Sequence, residues 1–431
     1  MRWQRLRRLL GGTAWVAAGV AVLGLAGYVY LAVLHHRLPP RDVAALTNLY
    51  LLVNIIGPGL FVTLEQETGR LVSTRLARGE GTRDTIRRMG RIGLAALGAV
   101  LVVLAGLAPV LVGRVLGGRL ELYLLLLLSV AAYTGVYLSR GVFAGRRRFA
   151  LYGANVGTEG LVRLAGVLAL VAAGSTAPGG YGLVLCIAPV GALLATAGWV
   201  RPGGPGPVEP VPAVLGKVSW LATAWLLSQL LANTAPLVVT GLLPDDPTTT
   251  AAFGQTFVLA RVPLFLFSTL QAVLLPTFSR MVARSDHQGL GRAVRSALAL
   301  VAGLGGACVV GAAVVGGPVV RLAFGYRVSS WLVAALTLAT VLLMVVQVLQ
   351  PASLALAAHR WVTLAWTGSL AVFALCFLIP VAPVTAAVIA QFAAGACVTG
   401  VLGAILLRRL RHDGAGTPLT DETVVDHARP A

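Results

Sequence analysis

Apolar runs alternate along this chain with short breaks that carry arginine or cluster proline and glycine. A helix rises about 1.5 Å per residue and a bilayer's hydrocarbon core is ~30 Å thick, so roughly 20 apolar residues make a spanning helix. Twelve runs fit, with approximate limits 10–34, 43–66, 91–113, 120–139, 149–173, 181–200, 217–243, 251–276, 295–318, 329–355, 361–379 and 383–407. The pattern predicts an all-α polytopic membrane protein with about twelve transmembrane helices. The first run is longer than the apolar core of a cleaved signal peptide and reads as a retained span.

A few polar residues interrupt the runs, and position makes them notable. Glu159 lies eleven residues past Arg148, with Arg163 one turn further on. Arg261 lies about as deep in span 8, roughly 16 Å from the nearer end, with no acid within a turn and Pro263 two residues on. Span 2 holds Asn54 at the equivalent depth, followed by a break at Gly57-Pro58-Gly59, and span 7 adds Gln229 and Asn233. Charges at such depth are costly and are paired or functional. Glu159 and Arg163, at i and i+4, share one helix face and either neutralise each other or line a cavity. An amide within a span can also serve simply as helix glue. Glu65 and Glu67, near the inner end of span 2, fit the membrane interface equally well.

Composition agrees with the pattern: 57% of residues are hydrophobic and 11% charged, and mean hydropathy is +0.85, against about 25% charged in soluble domains. A net charge of +19 would suit nucleic acid if it formed a solvated face. Here the basic residues sit in short clusters between spans, so the charge sets orientation and no nucleic-acid partner is implied. With the N-terminus inside, 26 of the 34 Lys and Arg fall on inside segments, 6 on outside loops, and Arg163 and Arg261 within spans. The positive-inside rule then places both termini in the cytoplasm.

The chain repeats internally. Leu60, Phe61, Thr63, Leu64, Ser73, Ala77 and Arg78 align with Leu266, Phe267, Thr269, Leu270, Ser279, Ala283 and Arg284 at an offset of 206, and "RVLGGRL" (114–120) resembles "RLAFGYRV" (321–328). Span 2 maps onto span 8. Six spans separate them, so the repeat is parallel, as in some transporters. The expected organisation is a six-helix lobe over 1–200, a proline-rich cytoplasmic linker over 201–217 that is not regular helix, a second six-helix lobe over 218–407, and a polar tail over 408–431.

The motifs of an enzyme or pump are missing. The lone Gly-Lys pair, Gly216-Lys217, has Val211 where a phosphate-binding loop needs its first glycine and Val218 where it needs Ser or Thr. Asp245-Asp246-Pro247 reads as a turn that ends a helix, and His35-His36 as solvated loop. The cysteines Cys186, Cys308, Cys376 and Cys397 lie singly in apolar runs. No catalytic constellation, metal-ligand set or cofactor site is evident.

Four stretches carry a resemblance to a known family: "LEQETGRLVSTRLARGEG" leaving span 2, "SRGVFAGRRRFALYGANVGTEGLVRLAG" around spans 4 and 5, "LARVPLFLFSTLQAVLLPTFSRMVA" in span 8, and "VRLAFGYRV" after span 9. Over residues 10–407 the chain resembles the polysaccharide-biosynthesis flippases of the multidrug/oligosaccharidyl-lipid/polysaccharide (MOP) exporter superfamily. The arginine-rich, lysine-poor composition resembles that of high-GC actinobacteria. The resemblance implies two six-helix bundles in a V around a central cavity in the bacterial plasma membrane. It implies translocation of an undecaprenyl-diphosphate-linked oligosaccharide from inner to outer leaflet, with glycosyltransferases and a polymerase as pathway partners. Family cavities are lined partly by arginine, which Arg261 matches by position. A multidrug/cation antiporter of the same fold and a non-transporting scaffold for polysaccharide assembly are the alternatives. The candidate cavity residues are Arg261, Arg163, Glu159, Asn54, Gln229 and Asn233.

Overall fold

The computed structural model describes residues 2–413 apart from Pro202, Val208, Pro210 and Ala357. The described chain is almost wholly helical and forms twelve rods at the positions of the twelve predicted spans. They are α1 (Arg2–Arg37); α2 (Pro40–Ile56), which runs through a π-turn at Gly57–Phe61 into α3 (Val62–Ala77); α4 (Arg83–Val110), extended by a π-turn at Leu111–Val115; α5 (Leu120–Gly145); α6 (Phe149–Ala172); and α7 (Pro178–Ala197). The second half comprises α8 (Val211–Leu242), the broken rod α9 (Pro247–Leu259) and α10 (Val262–Ala283), α11 (His287–Phe324), α12 (Ser330–Ala355), α13 (His359–Cys376) and α14 (Pro383–Asp413). Among the described residues, ten helices are long and apolar enough to cross a membrane by themselves. The α9–α10 rod is divided into pieces of 13 and 22 residues, and α13 has 18.

The parallel repeat is visible in the packing. In the first half α1 packs on α6, α6 on α7, α5 on α7, α3 on α5 and α4 on α5. Shifted by six rods, the same pairs recur: α8 on α13, α13 on α14, α12 on α14, α10 on α12 and α11 on α12. Two buried apolar clusters form: one around Leu46, Leu49, Tyr133 and Tyr181 that also takes in Leu237, Ala251 and Val258 of the second half, and one within the second half around Leu231, Phe253, Leu343 and Leu402. The halves meet chiefly where α2 and its π-turn pack on α8 and α9.

Local chemistry explains the element ends. The rod beginning at α2 breaks where Pro58 removes a backbone donor. There Gly59 lies against α8, beside Gln229 and Leu226. The equivalent rod breaks at Ala260–Arg261, just before Pro263. The two "G-x-R" turns share a cause, because Gly117, Gly118 and Gly325 adopt φ of 64°, 82° and 69°, a region open mainly to glycine. Asp246 accepts the Thr249 amide at 3.0 Å and so caps the start of α9, rather than merely ending the preceding helix. In the α1–α6 contact, a Cβ on Gly19 would collide with the Gly153 carbonyl, a close approach typical of membrane helix pairs.

Several expectations are corrected. The last seven residues of the 201–217 stretch are helical, because α8 starts at Val211 with Pro212 in its first turn, where a missing N–H costs nothing. Residues 408–413 belong to α14, and the rest of the predicted tail lies outside the described residues. His35 and His36 are helical rather than loop: both lie in the last turn of α1, where His36 is exposed and the His35 ring packs edge-on to Tyr326, centroids 4.4 Å apart. Arg140, assigned above to the inside loop, lies within α5 and is 5% exposed.

Candidate functional site

The polar residues predicted for mid-membrane gather in two neighbouring cavities, the larger between the two halves and the smaller within the first. The larger, about 400 Å³, is lined by Asn54, Gln229, Asn233 and Arg261 together with Tyr28, Tyr50, Trp225, Gln347, Gln350 and Trp366. The smaller, about 190 Å³, is lined by Glu159 and Arg163 with Tyr133, Tyr137 and Arg140. Gly24, Tyr50, Asn54 and Pro58 line both. All six candidate residues therefore line this paired space, but in two different electrostatic settings.

In the smaller cavity each arginine has a carboxylate partner, one carboxylate serving two guanidiniums. The Glu159 carboxylate, 1% exposed, receives Arg140 Nη2 on Oε2 at 2.7 Å and Arg163 Nη2 on Oε1 at 3.1 Å. Tyr133 Oη donates to Oε1 at 2.6 Å. The i, i+4 pairing read from the sequence is present, but α5 contributes a second arginine that the sequence reading missed. Arg140 is oriented by Asn155, whose Oδ1 accepts Arg140 Nε at 2.8 Å while its Nδ2 donates to Thr196 Oγ1 and the Ala192 carbonyl. A signal was available: Tyr133, Tyr137 and Arg140 stand at i, i+4 and i+7 on one face of α5, and Asn155 and Glu159 at i, i+4 on α6. The Arg163 guanidinium also lies over the Tyr50 ring, 5.8 Å from its centroid. Its buried Nε has no protein partner among the described residues, and the adjacent cavity is roomy enough for a bridging water.

The larger cavity is different. Arg261 stands in the break between α9 and α10, at the N-cap of α10. Its Nη1 donates to Asn233 Oδ1 at 2.7 Å, and its guanidinium stacks on Phe257, 4.3 Å from the ring centroid. Among the described residues no carboxylate lies within 4 Å of it. Glu159, the candidate partner by depth, is taken by Arg140 and Arg163. Asn233 is aligned in turn by Gln229, since its Nδ2 donates to Gln229 Oε1 at 2.9 Å and to the Gln229 carbonyl at 3.0 Å. The amides of α8 thus hold the guanidinium in place without neutralising it. Asn54 Nδ2 donates to the Tyr50 carbonyl at 2.8 Å.

The opposite wall comes from α12 and α13, where Trp366 Nε1 donates to Gln350 Oε1 at 3.0 Å and Gln347 lies one turn away. The sequence reading passed over these two glutamines and both tryptophans. Their signal was two amides at i and i+3 inside a span. Glu67 and Glu65 lie elsewhere: Glu67 pairs with Arg70, and Glu65 accepts the Tyr152 hydroxyl at 2.8 Å. Among the described residues, no acidic side chain lines the larger cavity.

No family model matches the chain. An uncharacterized protein of Mycobacterium tuberculosis is 29% identical over 401 residues, 88% of each chain, and a second from the same species is 27% identical over 400 residues, again 88% of each. Among solved structures, the inward-facing conformation of a multidrug resistance MATE family transporter of the MOP superfamily superposes with a TM-score of 0.66 at 14% identity, over 93% of this chain and 96% of that one. The MATE transporter VcmN of Vibrio cholerae in its bent form gives 0.62 at 16%, over 96% and 98%. A MOP superfamily transporter from Pyrococcus furiosus, described as having a binding pocket of reverse polarity that suggests a different function, gives 0.63 at 13%, over 95% and 96%. The chain has the fold of the MATE transporters of the MOP superfamily, a two-fold-repeated helical membrane transporter fold.

Proposed function

We propose that this protein is a flippase. It moves an undecaprenyl-diphosphate-linked oligosaccharide, or a similar anionic glycolipid, from the inner to the outer leaflet of a bacterial plasma membrane by alternating access. The observation that carries this reading is Arg261, an arginine held in a shared cavity with no carboxylate among the described residues to neutralise it. Guanidinium binds phosphate oxygens through paired hydrogen bonds and keeps its charge, and the N-terminus of α10 adds the positive end of a helix dipole at the same place. The walls fit a sugar: Trp225 and Trp366 offer flat apolar faces, and Gln229, Gln347 and Gln350 offer amide donors and acceptors.

In this reading the first lobe (1–200) and the second, which begins with α8, rock about the α2–α8–α9 junction, joined by the linker that precedes α8, with both termini cytoplasmic. Glycosyltransferases and a polymerase of the same pathway supply and consume the substrate. A multidrug/cation antiporter of this fold is the competing reading. It needs a carboxylate free to exchange protons or bind a cation, whereas Glu159 is held by two arginines and a tyrosine. A non-transporting scaffold has no use for an arginine set in the cavity.

The test is Arg261→Gln in cells that lack the native protein. The variant should accumulate to wild-type abundance while surface polysaccharide falls at least tenfold, the order of one charged contact. Arg261→Lys should restore part of it, because a point charge replaces a fork. Normal export by Arg261→Gln at normal abundance overturns the proposal.

A further inference from the structure

A third cavity, of about 670 Å³, opens in the second half between α11, α12 and α14. It shares no lining residue with the central cavity, and α12 separates the two: Leu343, Val346, Gln347 and Gln350 face the centre, while Val345 and Leu349 face the groove. The groove has two chemically distinct parts. Its body is apolar, walled by Leu298, Leu349 and Leu406, with space left where Gly403 has no side chain. Its mouth is basic: Arg292 and Arg295, at i and i+3 on one face of α11, are both exposed. Arg295 makes one long bond from Nε to the Gly291 carbonyl at 3.3 Å, and no carboxylate among the described residues pairs with either arginine. The mouth lies at the end of the bundle where α11 starts and α14 finishes.

The surroundings identify the medium. Further along α11, Leu300, Val310 and Val314 are exposed large apolar side chains, and little of this helix's apolar stretch is buried in the protein. Such a surface faces hydrocarbon. A groove that is apolar at depth and doubly cationic at its mouth is complementary to an anionic phospholipid, and basic pockets between membrane helices bind such headgroups.

We infer that the α11–α12–α14 groove is a binding site for an anionic phospholipid, whose acyl chain lies along Leu298, Leu349 and Leu406 and whose phosphate is held by Arg292 and Arg295. The site is separate from the export cavity and does not depend on the substrate proposed for it.

Native mass spectrometry of the purified full chain, titrated with phosphatidylglycerol or phosphatidylcholine, tests this. The wild-type protein should retain phosphatidylglycerol in preference to phosphatidylcholine. Each arginine near an anionic headgroup is worth roughly fivefold in affinity, so Arg292→Gln with Arg295→Gln should lower retention at least about tenfold. Both residues are exposed, so the double variant should melt at the wild-type temperature. Gly403→Phe, which fills the groove, should reduce retention of the lipid while leaving the mouth charged. Equal retention of the two lipids by the wild type, or wild-type retention by the double arginine variant, overturns the site. So does phosphatidylglycerol binding that arises only after residues 414–431 are removed, since that segment carries Asp421, Glu422 and Asp426 and would then be the occupant.

Discussion

Arg163 and Arg261 both line the paired central cavities, yet they occupy opposite electrostatic settings. Arg163 belongs to a closed set in which one carboxylate serves two guanidiniums and a phenol, with Asn155 orienting the second arginine. Arg261 has an amide and an aromatic face but no carboxylate. A buried ion pair contributes little net stability, yet breaking it by removing one partner is costly. The α5–α6 centre should therefore act as a rigid strut of the first half. Arg261 carries the desolvation cost of a charge with no ion-pair partner among the described residues, and under the proposed function the substrate supplies the missing charge.

The largest expected effect is at the strut. Glu159→Gln leaves Arg140 and Arg163 buried without a carboxylate and should destabilise the protein by about 3–5 kcal/mol, seen as a large fall in melting temperature in detergent. A wild-type melt would erase the distinction between the two centres. Combining Glu159→Leu with Arg163→Leu should not recover the loss, because Arg140 stays buried without its partner.

Asn155→Leu comes next, at about 2 kcal/mol, since it removes the acceptor for Arg140 Nε. Tyr133→Phe should cost about 1.5 kcal/mol through loss of one charge-assisted hydrogen bond to Glu159. Chemical denaturation of the two variants would order them. A reversed order would mean that the phenol, not the amide, holds the centre together.

The smallest stability change belongs to Arg261→Gln, within about 1 kcal/mol of wild type and of either sign, because no ion pair is broken and an uncompensated charge is removed. The contrast is sharpest here, since the variant expected to disturb folding least is the one expected to abolish export. A collapse of its melting temperature would make Arg261 a structural residue like Arg163.

The two regions also differ in how much of each could be read in advance. The twelve rods, the breaks before Pro263 and at Gly57–Gly59, and the sharing of one junction by Asn54, Gln229, Asn233 and Arg261 were legible. They follow from run length, from residues that cannot continue a helix, and from depth counted along a rise of about 1.5 Å per residue. Glu159 with Arg163 was legible because both lie on one helix, where spacing alone sets the distance. The pairing of Glu159 with Arg140 was not. It joins α5 to α6 and depends on how each helix is rotated, and the apolar run around Arg140 gave out at what looked like a loop. Gln347, Gln350 and Trp366 were likewise ordinary span residues until α12 and α13 brought them to the far wall. By itself the sequence determined how many rods there are and where two of them break, because these are properties of a single helix in a slab of known thickness. Which charge finds a partner and which is left facing a cavity was decided only by tertiary structure, since an ion pair forms or fails over a few ångströms set by the packing of different helices.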